Sequence, residues 1–270
     1  ALTAGMESSF TKKTKIVSIN NDKNELNNPL LKFTLKIKSD LKIFLKKIND
    51  YEKKIHQKDV IWLEYCNKIK TNKEIPNIYK KKTPIDLYRF MHDLGKFTSK
   101  NHTLITDAGS NYYIGGQVWK FEKGQNEIAS TTNAAMGLSV PLSIGAAVAS
   151  NKQIMSVTGD GSIELNIQEL KTISHYKLNI KTFVINNGGY VSMKKWQDDY
   201  FDGNRLDTED KTGVGTINFK KIASAFELNY MSIKKVSEIE KKIKYLCSKK
   251  EPYLVEVFTD PNQYIYGEKF

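Results

Sequence analysis

Residues Gly159 to Gly189 read GDGSIELNIQELKTISHYKLNIKTFVINNGG, and the reading of this stretch decides the fold. Just ahead of it Ile154 to Thr158 forms an apolar run that reads as a buried parallel strand, and Ile180 to Ile185 inside it reads as a second. Between them Ile163, Ile167, Leu170 and Ile173 recur at helical spacing, which predicts one amphipathic helix. Strand, glycine turn, helix and strand make a βαβ unit. A right-handed crossover brings the carboxyl ends of both strands to one edge of the sheet, so Asp160 and Asn187 are predicted to be neighbours although 26 residues separate them.

That juxtaposition suits a metal-bound phosphate. Asp160 offers a hard carboxylate, Asn187 a neutral amide oxygen, and a backbone carbonyl in the turn, that of Gly189, a third oxygen for Mg²⁺ or Ca²⁺. Gly159, Gly161 and Ser162 lie at the helix start, where free N–H groups and the helix dipole favour an anion and a missing Cβ lets it come close. Standing alone, the tripeptide Gly159-Asp160-Gly161 would read as an ordinary turn with an Asp cap. Two other glycine motifs are excluded. A P-loop needs Gly-Lys-Ser/Thr at the helix start, and a dinucleotide fingerprint needs a glycine where Glu164 stands.

The order GDG, 24 intervening residues and NN resembles the thiamine diphosphate binding motif. AAMGLSVPLSIGAAVAS before it (134–150) and GGYVSMKKWQDDYF at its end (188–201) are similar, without gaps, to the cofactor domain of the acetolactate synthase family, and the resemblance spans Pro84 to Val257. It implies thiamine diphosphate and Mg²⁺ as cofactors, with Asp160, Asn187 and the Gly189 carbonyl on the metal and Tyr190 beside them. It also implies diphosphate contacts from Ser110 and Asn111, the latter standing where the family usually has His. Met136 corresponds to a large apolar side chain that wedges the cofactor into a bent shape; the competing reading is core filling. Trp196 aligns with a Trp at the substrate entrance, against which stands simple packing. Whether a flavin is bound is left open.

Composition adds exclusions. Lys and Arg number 42 against 30 Asp and Glu, a net charge of +12. The charge is spread and accompanied by abundant Asn and Ile, so a compositional bias explains it better than a nucleic-acid partner. Cys66 and Cys247 lack metal-ligand spacing and suggest free thiols in a reducing compartment, the cytoplasm by default. No apolar run reaches the roughly 20 residues of a membrane span. His56, His92, His102 and His175 share neither a helical face nor a metal spacing. The opening ALTAGMESSF lacks both an initiating Met and signal-peptide character, so the chain reads as a piece of a longer protein.

In order, residues 1–50 read as the tail of a central domain, with a strand at Lys15 to Ile19 and an amphipathic helix from Asp40. Residues 51–83 read as a polar helical linker carrying Trp62, Leu63, Tyr65 and the Lys80–Lys82 run, the aromatics being packing anchors. Residues 84–270 read as a doubly wound, mostly parallel α/β domain of five or six strands, with helices on both faces. Within it, helices are expected at Ile85 to Phe97, Ala134 to Ala149, Asn218 to Phe226 and Val236 to Leu246. Strands are expected at Thr103 to Thr106, Ile128 to Thr132, Tyr230 to Ile233 and Tyr253 to Phe258. Tyr190 to Phe201 should be a helix or ordered loop, Asp207 to Thr216 a polar loop ordered only on assembly, and Asp198, Asp199 and Asp202 solvated carboxylates or a second metal site.

Functionally, the resemblance implies a carboligase that decarboxylates a 2-keto acid, with pyruvate expected, and passes the two-carbon unit to an acceptor carbonyl. A simple 2-keto acid decarboxylase or a non-catalytic assembly subunit are the alternatives. In the family an activating glutamate comes from a pyrimidine-binding domain of a second subunit, so a homodimer or tetramer is expected and this chain alone should not turn over.

Overall fold

A computed structural model describes residues 14–29, 32–52, 60–72, 84–98, 101–130, 133–150, 152–263 and 265. The ALTAGMESSF segment and the Lys80–Lys82 run lie outside the described residues. The chain divides into two compact units, Ala1–Glu74 and Ile75–Phe270.

In the first unit, β1 (Val17–Asn20) pairs in parallel with β2 (Leu35–Lys38). Between them Asp22 caps the short α1 (Lys23–Leu26) by accepting from the Asn24 N–H. The second strand and this helix were not foreseen. The expected helix follows as α2 (Leu41–Glu52), and α3 (Val60–Asn72) falls in the stretch read as a linker. Trp62 stacks on Tyr65 with ring centroids 5.6 Å apart, and Trp62, Leu63 and Tyr65 are exposed.

The second unit is the doubly wound sheet. Asp86 caps α4 (Leu87–Phe97), after which β3 (His102–Thr106), α5 (Ser110–Val118) and β4 (Asn126–Ala129) follow. The last of these begins two residues before the expected Ile128 and leaves strand geometry after Ala129, and Thr131 and Thr132 of the expected strand lie outside the described residues. Next come α6 (Ser139–Ala149), β5 (Gln153–Gly159), α7 (Asp160–Ile163), α8 (Leu170–His175) and β6 (Ile180–Asn186). The chain continues with α9 (Val191–Tyr200), α10 (Phe219–Ala225), β7 (Asn229–Ile233), α11 (Val236–Cys247) and β8 (Tyr253–Phe258). The six strands run in the order β4-β3-β5-β6-β8-β7, and every pairing is parallel.

Period-two alternation splits the strand side chains between two cores. Met155, Val157, Phe183, Ile185, Val255 and Val257 meet α4, α5 and α11 on one face. Ile154, Ile180, Val184 and Leu254 meet α6, α8 and α10 on the other. Because the chain leaves β3 toward β4 on one side while β5 leads on to β6 on the other, a crevice opens at the carboxyl ends of β3 and β5, where open α/β sheets bind ligands.

Two helix expectations are corrected. The small-residue helix starts at Ser139 rather than Ala134, because Ala134 (φ 43°) and Gly137 (φ 73°) adopt left-handed backbone that a helix cannot contain. The crossover helix is broken: α7 is followed by a 3-10 segment, Glu164–Glu169, in which Asn166 leaves helical geometry (φ −140°, ψ 31°) before α8 begins. Its amide Nδ2 donates to the Gly137 carbonyl at 3.2 Å, so a tertiary bond coincides with the break in the helix.

At the opposite, amino end of the sheet, Lys181 is buried in β6 and its Nζ donates to Asn179 Oδ1, Lys249 O and Glu251 O at 2.8, 2.9 and 2.6 Å. Burial lowers its pKa from 10.5 to about 8, opposed by Glu251 and Cys247. Between those two values the unfolded chain holds a proton that the folded chain has lost, so stability rises with pH across that window. Relative to Lys181→Met, the wild type should therefore gain up to about 3 kcal/mol in urea unfolding between pH 8 and pH 10.5. A pH-independent difference would contradict this.

Candidate functional site

The crevice is a cavity of about 320 Å³ at the carboxyl ends of β3, β5 and β6. Every residue named from the sequence as a cofactor contact lines it: Ser110, Asn111, Met136, Gly159, Asp160, Gly161, Ser162, Asn187, Gly189 and Tyr190. Leu87, Gly109, Tyr113, Ser192 and Met193 also contribute, and sequence reasoning had assigned them no contact.

Asp160 and Asn187 meet as predicted, first through the backbone. Asp160 Oδ2 accepts from the N–H groups of Asn187, Gly188 and Gly189 at 3.1, 2.8 and 3.0 Å, while among the described residues Oδ1 accepts from Gly161 N alone, at 2.9 Å. The carboxylate thus shapes the turn and keeps acceptor capacity on Oδ1. Burial pushes its pKa above the ordinary 3.8, and the bonds from Gly189, Gly161, Asn187 and Gly188 oppose that rise. A buried, partly desolvated carboxylate is a group that gains from a cation.

The turn is held from outside as well. Gly189 has φ 113°, and a Cβ there would lie 2.4 Å from the Thr208 carbonyl oxygen. The same carbonyl accepts from Tyr190 N at 2.9 Å. The Tyr190 ring covers Gly161, where a Cβ would stand 2.3 Å from Tyr190 Cε1. Burial, then the charges of Glu164 and Asp160, raise the Tyr190 pKa.

The two asparagines of the motif do different things. Asn186 Nδ2 donates to Glu256 Oε1 at 2.7 Å, and its carbonyl accepts from Thr259 N at 3.0 Å, which ties the end of β6 to β8. Asn187 Oδ1 is buried with no hydrogen-bond partner among the described residues, in a cavity that also contains Asp160. An orphaned amide oxygen is costly unless something binds it. Together with Asp160 and the Gly189 carbonyl it makes an oxygen-only donor set that suits Mg²⁺, so the residues present fit the metal. Among the described residues no group of three or more His, Cys, Asp and Glu forms an alternative metal site.

Ser110 begins α5, and its Oγ lies 3.4 Å from Ser192 Oγ. Asn111 reaches the cavity wall, but its amide is already engaged: Nδ2 donates to Asp107 Oδ1 and Val157 O, both at 3.1 Å, and Oδ1 accepts from Tyr112 N at 2.9 Å. Met136 is half-buried, lines the cavity and belongs to neither core cluster, so core filling does not describe it. Trp196 lies outside the cavity lining; it is 53% exposed and sits against Tyr200 and Phe201, so it is not a buried packing residue.

The Asp207 to Thr216 loop, expected to order only on assembly, is folded against α9 in the single chain. Arg205 forks onto Asp198 with two bonds of 2.9 Å and reaches Glu209 at 3.0 Å, and Gln197 bonds both the N–H and the carbonyl of Leu206. Asp198 is thereby an ion-pair partner, as Asp199 is for Lys195 at 2.5 Å, which leaves the second-metal reading without support.

Sequence reasoning put Asp107 in the turn beyond β3, at the ligand edge of the sheet, without giving it a role, and did not single out Glu256. Both are buried carboxylates bonded to motif residues. The signal for Asp107 was its place one residue past the end of β3, on the sheet edge where ligands gather.

Fold and site together define the class: an open parallel α/β domain with an oxygen-lined crevice at its strand ends. The chain belongs to the thiamine pyrophosphate enzyme family, since residues 107–257 match the model of the thiamine pyrophosphate enzyme C-terminal TPP binding domain. It is 28% identical to an acetolactate synthase large subunit of Cyanidium caldarium over 86% of this chain and 40% of that protein. It is 30% identical to a probable acetolactate synthase large subunit of Methanocaldococcus jannaschii over 74% of this chain and 34% of that protein. The domain is thus of the acetolactate synthase type, and the chain spans 34 to 40% of the length of these relatives. Among solved structures, the thiamine diphosphate-dependent 4-hydroxybenzoylformate decarboxylase of Rhodococcus jostii RHA1 shares the fold, with a TM-score of 0.59 at 18% identity over 65% of this chain and 33% of that one. No helix among the described residues is long and apolar enough to cross a membrane.

Proposed function

We propose that this chain is the diphosphate- and Mg²⁺-binding part of a carboligase that decarboxylates a 2-keto acid, pyruvate in the first instance, and transfers the two-carbon unit to an acceptor carbonyl. The observation that carries the reading is the buried Asn187 Oδ1, without a hydrogen-bond partner among the described residues, in one cavity with the Asp160 carboxyl. When bound, thiamine diphosphate supplies the nucleophilic carbon and the electron sink. The chain's own residues do the holding. Asp160, Asn187 and the Gly189 carbonyl would hold Mg²⁺, whose charge would offset that of the diphosphate. Ser110 and the backbone around Gly161 and Ser162 would face the phosphate oxygens, and the missing Cβ of Gly161 lets the Tyr190 ring close over the turn beside them. Met136 forms the wall against the rings, and the apolar Leu87, Val191 and Met193 limit water in the crevice.

Activation of the aminopyrimidine needs a proton-exchanging carboxyl, and the resemblance assigns it to a glutamate on a pyrimidine-binding domain of a second subunit. The partner is therefore a second copy of the whole protein, in a homodimer or tetramer in the cytoplasm. The test is to titrate the full-length protein with thiamine diphosphate and Mg²⁺ and then supply pyruvate. Release of CO₂ with formation of a carboligation product is the expected result. Free acetaldehyde as the sole product would replace the carboligase reading with that of a decarboxylase, and absence of cofactor binding would leave an assembly subunit. Residues 1–270 alone should bind Mg²⁺ and diphosphate without turnover.

A further inference from the structure

Asp107 is fully buried just beyond β3, and its five hydrogen-bond donors among the described residues are all neutral. Oδ1 accepts from Ala108 N at 2.7 Å and Asn111 Nδ2 at 3.1 Å. Oδ2 accepts from the hydroxyls of Ser139, Thr158 and Ser162 at 3.2, 2.7 and 2.8 Å. One carboxylate therefore joins the ends of β3 and β5 to the starts of α5, α6 and α7.

The Ser162 bond has a further consequence. Its proton is committed to Asp107, so its lone pairs face the other way, and Ser162 Oγ accepts from Gly137 N at 2.8 Å. Gly137 is gripped on its other side by Asn166 Nδ2, which donates to its carbonyl at 3.2 Å. The approach is close enough that a Cβ on Gly137 would lie 2.8 Å from Ser162 O. The residue before Gly137 is Met136, in the cavity wall.

We propose that Asp107 is a positioning residue: as an obligate acceptor it fixes the direction of the Ser162 hydroxyl, which holds the Met136–Gly137 turn at a set distance from the Gly159–Ser162 junction. The wall that faces the cofactor rings and the wall that faces the diphosphate then keep one spacing. An amide cannot do this. An asparagine at position 107 turns its N–H groups either toward the three hydroxyls, so that Ser162 loses its acceptor, or toward the Ala108 N–H, which lies 2.7 Å from the wild-type oxygen and would push the side chain from the place where it meets Ser162. The inference rests on the thiamine diphosphate reading given above.

The test uses the full-length protein and calorimetric titration, with Mg²⁺ throughout, of thiamine diphosphate in one arm and inorganic diphosphate in the other. Asp107→Asn should weaken thiamine diphosphate about 10- to 100-fold, the range for a residue that orients a binding group from behind, and leave inorganic diphosphate unchanged. Ser162→Ala should give the same split if Asp107→Asn does not fold, since it leaves the backbone at the diphosphate in place and removes a hydroxyl already engaged by Asp107 and Gly137. Ser139→Ala, which removes a donor from the same carboxylate without touching Gly137, should leave both affinities as they are. Parallel loss of both ligands, or no loss of either, would overturn the positioning role, as would failure of both Asp107→Asn and Ser162→Ala to fold, since Asp107 would then be architectural. If the wild type itself bound inorganic diphosphate and not thiamine diphosphate, the cofactor reading would fall and the positioning role with it.

Discussion

Asp160→Ala is expected to lower the affinity of the full-length protein for thiamine diphosphate in the presence of Mg²⁺ by at least about 100-fold, because residues that merely orient a metal ligand are worth 10- to 100-fold and Asp160 is placed as the ligand itself. The substitution removes more than a charge. Four backbone N–H groups, those of Gly161, Asn187, Gly188 and Gly189, lose their acceptor at once. Opposing this, a buried carboxyl that burial has pushed up in pKa is released from its desolvation cost, so the stability of the ligand-free protein should fall by only about 1–3 kcal/mol. Asp160→Asn separates the two effects. It keeps one oxygen for the turn and loses the charge, so stability should approach that of the wild type while metal-dependent binding stays lost. Calorimetric titration with and without Mg²⁺, paired with urea unfolding, reads both. Retention of Mg²⁺-dependent binding in Asp160→Ala would remove this residue from the metal site and with it the basis of the proposed function.

The central βαβ unit was legible because both of its strands are buried on two faces and so appear as continuous apolar runs. The pairing of Asp160 with Asn187 followed from crossover geometry and needed no side-chain detail. The unbroken crossover helix was wrong for a reason that periodicity cannot show. Ile163, Leu170 and Ile173 do reach one core, and Ile167 packs at its margin, yet Asn166 leaves the helix where it bonds a residue 29 positions earlier in the chain. The same limit hid Asp107 and Glu256. Their roles lie in contacts with Ser162 and Asn186, 55 and 70 residues away; position past β3 marks Asp107 as near the ligand edge but not what it holds, and Glu256, one of 30 carboxylates, has no such mark. The Asp207 to Thr216 loop looked unstructured because its glycines and charges are those of any loop. Its contacts come from Arg205, which donates to Glu209, and from Gln197 on α9, which accepts from the Thr208 hydroxyl, interactions in which the spacing, not the composition, is informative.

Gly189→Ala should be the most damaging change of one methyl group in the second unit, lowering unfolding free energy by about 3 kcal/mol and abolishing metal binding. Two costs coincide at this position. The backbone is at φ 113°, outside what an L side chain readily adopts, and the new Cβ would meet Thr208 O at 2.4 Å, Thr208 C at 3.2 Å and Glu209 Cα at 3.3 Å. Those are backbone atoms, and they cannot step aside cheaply. The Thr208 carbonyl is held by Tyr190 N, and the segment behind it is fixed by the bonds from Thr208 N and Glu209 N to Thr212 Oγ1, each 3.1 Å. Relief must therefore come from the turn, which is the piece that places Asn187 and presents three N–H groups to Asp160. Gly188 supplies the internal comparison. It too is left-handed, at φ 73°, but a Cβ there meets nothing within 4 Å, so Gly188→Ala should cost only the conformational strain of about 1–2 kcal/mol and retain Mg²⁺ binding. Urea unfolding of the two variants side by side, with Mg²⁺ titrated into each, tests the argument. Equal losses at both positions would mean that backbone conformation alone demands glycine there and that the Thr208 carbonyl does not set the shape of the metal turn.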